Sequence, residues 1–196
     1  PKTINRSLVL QCRWPGGEAN LEVPAAPPEP TRENSWLTWV DPKGRFYFSY
    51  PQIYGFKWDG KNPSVFYLAQ APVGQADLVS FKFKPDETVR PDDVFQEATA
   101  SLKAELFTAV RTSPAPDRLD TSDWNTGAEV QHMEAKLTDP TGRQLVREIY
   151  VLQFPKNDTL IVGATTPTSE VQAFRSRVEE VLKTFHLGTP QEGAGK

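Results

Sequence analysis

The chain has 196 residues, with 22 Lys and Arg against 25 Asp and Glu, a formal charge of −3 and 38% hydrophobic residues. That is enough for one medium domain with a buried core plus a small appendage. The mild acidity without a Lys/Arg cluster argues against a nucleic-acid partner, no apolar run is long enough to span a membrane, and the single Cys12 allows neither an internal disulfide nor a thiolate-rich metal site.

Pro1 is not a translation start, so a processed form or an excised piece is expected. Cys12 follows Val9-Leu10-Gln11 and not a small residue, and it reads as a buried strand cysteine rather than a lipid-bearing one. Leu8, Leu10, Cys12 and Trp14 share one face at period two, Pro15-Gly16-Gly17 turns, and Leu21 and Val23 alternate after it, which predicts a hairpin. The prolines between Pro24 and Pro30 make a stiff extended spacer. Residues 1–30 are therefore expected to be an N-terminal hairpin and spacer, 31–188 the main domain, and 189–196 a frayed tail.

In the main domain Trp36–Val40 and Arg45–Tyr50 are strands joined by Asp41-Pro42-Lys43-Gly44, and the same turn recurs as Asp139-Pro140-Thr141-Gly142, each followed by arginine. Proline presets φ at the second position and glycine accepts the left-handed conformation at the fourth, so both are expected to be three-residue hairpins with a glycine bulge. In the second hairpin that turn pairs Leu137 with Leu145, Met133 with Ile149 and Gln131 with Val151. With Ala135 these make one apolar face, broken by Arg147 and Gln131. A two-residue loop would set Glu134 against Arg147 and leave neither face clean.

Pro51, Gly55 and Gly60 mark the stretch holding Tyr54, Phe56 and Trp58 as a loop. Ser64–Gln70 reads as a central strand, and Asp77–Lys84 as a strand with Val79, Phe81 and Phe83 on one side and polar residues on the other. Pro91, Asp92 and Asp93 open a helix whose Val94, Ala98, Leu102 and Leu106 recur every four residues. Residues 111–126 read as loop, followed by strands near 127–138, 143–154 and 158–165. Thr166-Pro167 is expected to cap a second helix with Val171, Phe174, Val178, Leu182 and Phe185 along one stripe, roofing the Met133/Ile149 face. The class is α+β: an antiparallel sheet of about six to seven strands with helices packed on it.

Phe48-Ser49-Tyr50-Pro51, the Asn125-Thr126-Gly127-Ala128 entry to the long hairpin, Gly142-Arg143, Thr159-Leu160-Ile161-Val162 and the helix end Lys183-Thr184-Phe185 together resemble the PsbP/DcrB-like fold group over roughly 41–187. That group includes lumenal PsbP proteins of photosystem II and bacterial DcrB-like proteins. Members often carry a tryptophan shortly after the aromatic-x-x-Pro stretch; Tyr54 stands nearest that place here and Trp58 lies later. The resemblance implies a compact accessory module that binds a protein or peptide partner, in one branch a chaperone for hydrophobic segments of secreted proteins. It also favours an extracytoplasmic setting, periplasmic or lumenal.

No catalytic signature is present: no Gly-x-Ser-x-Gly, no Ser-x-x-Lys, no phosphate loop and no dinucleotide fingerprint, with Gly163 an isolated strand glycine. His132 and Glu134 share a strand face and are two ligands at most; the plainer reading is a solvated face with His132 against Tyr150. Asp117, Asp120, Asp123 and Asn125, with Glu134 beyond, faintly echo a calcium loop, but Ala128 stands where glycine is required. The pairs Asp92-Asp93 and Glu179-Glu180 diverge on their helices and read as solvated. No cofactor, metal or catalytic residue is assigned. The expected binding residues are the aromatics Tyr50, Tyr54, Phe56, Trp58 and Trp124, which anchor protein contacts when they stand on loops; the competing reading is that they plug the core.

Overall fold

A computed structural model describes residues 35–58, 65–70, 78–124 and 126–190. The expected N-terminal hairpin and spacer, Cys12 and Asn125 lie outside the described residues.

Strands β1 (Trp36–Val40), β2 (Phe46–Pro51), β3 (Tyr54–Trp58), β4 (Val65–Gln70) and β5 (Leu78–Lys84) precede helix α1 (Pro91–Ala104). Two short strands, β6 (Thr108–Arg111) and β7 (Asp117–Arg118), lead to the long β8 (Glu129–Thr138) and β9 (Gln144–Gln153), then β10 (Thr159–Pro167), α2 (Val171–Lys183) and β11 (His186–Leu187). The large sheet runs β3-β4-β5-β10-β9-β8-β6 with β7 beside β8, and a smaller one runs β1-β2-β11. Every pairing is antiparallel.

The β8–β9 register is the one the turn demands: Leu137 faces Leu145, Met133 faces Ile149 and Gln131 faces Val151. Asp139 donates its N–H to the Arg143 carbonyl at 3.0 Å and accepts the Gly142 N–H at 2.9 Å, with Gly142 at φ +85°. The Asp139 carboxylate locks this bend, accepting the Thr141 hydroxyl (2.7 Å), the Thr141 and Arg143 N–H groups (2.8 and 2.9 Å) and Arg143 Nε (3.0 Å). The β1–β2 hairpin departs from expectation by one residue, because Asp41 pairs with Phe46 and leaves Arg45 inside the loop. The Arg45 guanidinium closes as a fork on the Asp41 carboxylate at 2.8 and 2.9 Å.

The large sheet carries a separate core on each face, which corrects the expected roof. Met133, Ala135, Leu137, Leu145, Ile149 and Val151 are covered by Val94 and Phe95 of α1, not by α2. The opposite face, with Phe81, Phe83, Tyr150, Leu152, Leu160 and Val162, is covered by Phe174, Val178, Val181 and Leu182 of α2 beside Phe46 and Phe48 of β2. The Thr184 hydroxyl accepts the Ser49 N–H at 2.8 Å and ties the end of α2 to β2.

Other expectations change locally. Tyr54–Trp58 is a strand and not a loop, because its ladder to β4 outweighs the breaking tendency of Gly55. Residues 111–126 are not wholly loop: β6 reaches Arg111 and β7 pairs Asp117 with His132. Thr166 and Pro167 finish β10, and α2 starts at Val171 after a short 3-10 turn. Leu106 is not on the α1 stripe; it lies past the helix end at φ +67° and is 77% exposed, while the Phe107 N–H closes back onto the Leu102 carbonyl at 3.0 Å.

Candidate functional site

Of the predicted aromatic residues, Tyr50, Tyr54, Phe56 and Trp124 are brought together, but inward. Tyr50 and Tyr54 are buried and Phe56 is half-buried, with Tyr50 and Phe56 rings 5.9 Å apart and Phe56 5.1 Å from Trp39. Trp124 is also buried, in the same core, with Lys183 Nζ 6.0 Å from its ring centroid. The side chain of Trp58 lies outside the described residues.

His132 does lie against Tyr150, ring centroids 4.7 Å apart, but the face they share is buried under α2 instead of solvated. The polar residues there form an internal network. Glu134 stands opposite Glu148 in the ladder, and Arg175 of α2 bridges them, donating Nη2 to Glu134 at 2.8 Å and Nε to Glu148. Tyr150 donates to Glu148 at 3.4 Å, and His132 Nε2 lies 3.5 Å from the same carboxylate. Burial pushes the Tyr150 phenol well up from its ordinary range, with Glu148 and Glu179 adding to it. Burial likewise raises the Glu179 carboxyl, against the pull of Arg175, so Glu179 is not the solvated group expected. With Arg175 committed to both carboxylates, this cluster works as a clamp between α2 and the sheet.

The Asp-rich segment disperses its carboxylates. Asp117 is in β7, Asp120 accepts the Ser122 N–H at 3.0 Å within its own turn, and Asp123 pairs with Lys183 at 2.6 Å. Among the described residues no three His, Cys, Asp or Glu side chains are grouped to hold a metal. His186 sits in β11, stacked on Tyr47 at 5.0 Å.

A concave feature lies elsewhere, on the α1 face, where a groove of about 590 Å³ opens between the helix and the sheet. Val94, Ala98 and Leu102 form its helical wall, and Leu145, Ile149 and Ile161 line its floor. Glu97 on the helix pairs with Lys82 of β5 across it at 3.2 Å.

Arg147 is set into that floor. It faces Thr165 in the β9–β10 ladder, donating Nη1 to the Thr165 hydroxyl at 2.7 Å and Nη2 to Ser80 at 3.2 Å. Ser80 spends its own hydrogen on the Gly163 carbonyl at 3.1 Å. The guanidinium lies over Gly163, where a Cβ would come within 2.0 Å of Nη2, so a glycine in this strand is what leaves room for the cation. Nε is shut off from solvent without a partner, and no described carboxylate bonds the group. Burial pushes the Arg147 guanidinium down to about 10, opposed only by the field of Glu105. The sequence signal was a cation interrupting an apolar strand face; pairing it with Gly163 needs the β9–β10 register.

No family model and no curated protein matches the chain. Among solved structures, it is similar to cyanobacterial PsbP (CyanoP) from Synechocystis at 15% identity, covering 78% of this chain and 92% of that one with a TM-score of 0.54. It is also similar to the Ran-binding protein Mog1p of Saccharomyces cerevisiae (10% identity, 79% and 96% covered, TM-score 0.49) and to LpqN of Mycobacterium tuberculosis, involved in cell envelope biogenesis (11% identity, 79% and 91% covered, TM-score 0.45). The expected fold stands: the chain has a PsbP-like α+β architecture, with helices on both faces of an antiparallel sheet.

Proposed function

We propose that the chain is a non-catalytic binding module, an accessory or carrier subunit that shelters an apolar segment of a protein or peptide partner between α1 and the sheet. The observation that carries this reading is the groove. Its volume, about 590 Å³, falls within the roughly 300–1,000 Å³ typical of ligand pockets, and its walls are mainly apolar with a few convergent polar groups. Four inner strands and one helix supply most of its lining, with Glu105, Phe107 and Arg143 at its edges, so regular elements set most of its shape.

Ser101 lines the groove from the exposed side of α1, so Ser101→Trp lays an indole across it without entering the core. The protein is expected to enhance the fluorescence of an environment-sensitive apolar dye and to release it to a leucine-rich peptide. The variant should lose that response with an unchanged unfolding transition. An equal response in both proteins, or none in either, overturns the reading.

A further inference from the structure

We infer that the segment held in this groove carries one acidic side chain within an apolar stretch, and that its carboxylate is received by Arg147. The inference rests on the groove being the binding site. It follows from a mismatch in charge: the guanidinium has two hydroxyl partners, Thr165 and Ser80, and hydroxyls leave its charge uncompensated. An ion partly withdrawn from water without a counter-charge carries a cost, and the cost is recovered if an arriving ligand brings the opposite charge. The seat is also preorganised. Gly163 makes the space, Thr165 and Ser80 fix the fork, and Nη1 and Nη2 each keep a second N–H.

The position of Arg147 says where the acid stands in the ligand. Along β9 the groove face reads Leu145, Arg147, Ile149, so apolar residues flank the cation on both sides. An occupant that fills the groove runs past Arg147 in both directions, which suits an internal Glu or Asp better than a chain terminus. Of the other charges lining the groove, Lys82 pairs with Glu97 and Arg143 with Asp139, and Glu105, just past the end of α1, disfavours a further acidic residue. The chemistry is thus apolar, acidic, apolar, with a single negative charge.

The test uses a short leucine-rich peptide with one central glutamate, its glutamine twin, and laurate as a non-peptide carboxylate, each displacing the same dye. The glutamate peptide should bind the native protein about tenfold to hundredfold more tightly than the twin, as a charge-assisted bond in a partly desolvated site requires. In Arg147→Met the two peptides should bind alike while the twin keeps its native affinity. In Gly163→Ala, which keeps the charge but displaces it, the preference should fall as well. Equal binding of both peptides to the native protein overturns the inference and leaves the groove reading standing. Binding of neither peptide overturns both. Laurate displacing the dye where the glutamate peptide does not overturns the peptide as the source of the carboxylate.

Discussion

Arg175→Met removes the one cation that separates Glu134 from Glu148. Glu148 is fully buried, and without Arg175 it keeps only a 3.4 Å bond from Tyr150 and a 3.5 Å approach of His132 while facing Glu134 across the ladder. Breaking a buried ion pair on one side costs about 3–5 kcal/mol. The Arg175 side chain is 26% exposed, so water already screens part of the interaction; a loss discounted below that range, to about 2–3 kcal/mol, is expected. In a domain of this size that lowers Tm by about 5–10 °C. Urea denaturation followed by tryptophan fluorescence, with scanning calorimetry beside it, measures both. Arg177→Met on the exposed side of the same helix is the control and should stay within about 0.5 kcal/mol of the parent. Adding Glu148→Gln to Arg175→Met should recover part of the loss, because the uncompensated charge goes with it. A loss below about 1 kcal/mol for Arg175→Met would show that the clamp contributes little and that α2 is held by its apolar stripe alone.

Phe81→Ala, at a residue 1% exposed that stacks on Phe48 at 5.5 Å, should cost about 3–5 kcal/mol in urea denaturation. Leu106→Gly should stabilise by about 0.5–1 kcal/mol, since Leu106 is exposed at φ +67° and leaves a left-handed strain larger than the entropy glycine loses; calorimetry showing a lower Tm would contradict this. Asp139 is held down to about 2 by the Thr141 hydroxyl and the Arg143 N–H, against 3.8 ordinarily. A carboxyl lowered in the folded state stabilises above its unfolded value and loses that contribution as pH falls through the folded one. The stability gap between the parent and Asp139→Asn should therefore be level above pH 4 and close toward pH 2; a gap independent of pH would refute the assignment.

The β8–β9 turn was legible because Asp-Pro-x-Gly restricts the bend, and the bend then dictates which residues of β8 and β9 face each other; the same motif at Asp41 closes one residue later, on Phe46. What could not be read was which helix covers which face. Both faces of β9 are buried, with Leu145 and Ile149 on one and Tyr150 and Leu152 on the other, so alternation does not separate inside from outside. On β8, His132 and Glu134 imitate a wet face. The compensating signal lies in α2, where Arg175 flanks the apolar stripe and matches the two carboxylates beneath. The aromatic segment misled for a related reason: glycine and proline near Tyr54 and Phe56 suggest a loop, yet a ladder partner outweighs a local preference once β4 is in place.

Glu148 and Arg147 are chain neighbours that point to opposite faces of the sheet, and their treatment separates stability from binding. Glu148 has its counter-ion supplied by α2; Arg147 has none among the described residues. Were Arg147 a structural group, replacing it with a residue of similar length and no charge would remove two hydrogen bonds and lower stability. If it serves a ligand, the unliganded protein carries it at a cost, and replacing a half-buried, uncompensated charge by an apolar side chain is neutral or favourable. Arg147→Met should accordingly leave stability unchanged or raise it by about 1 kcal/mol, in contrast to Arg175→Met, when both are measured by urea denaturation without ligand. A loss greater than about 2 kcal/mol would place Arg147 with the structural groups and remove the physical reason for expecting an anion in the groove.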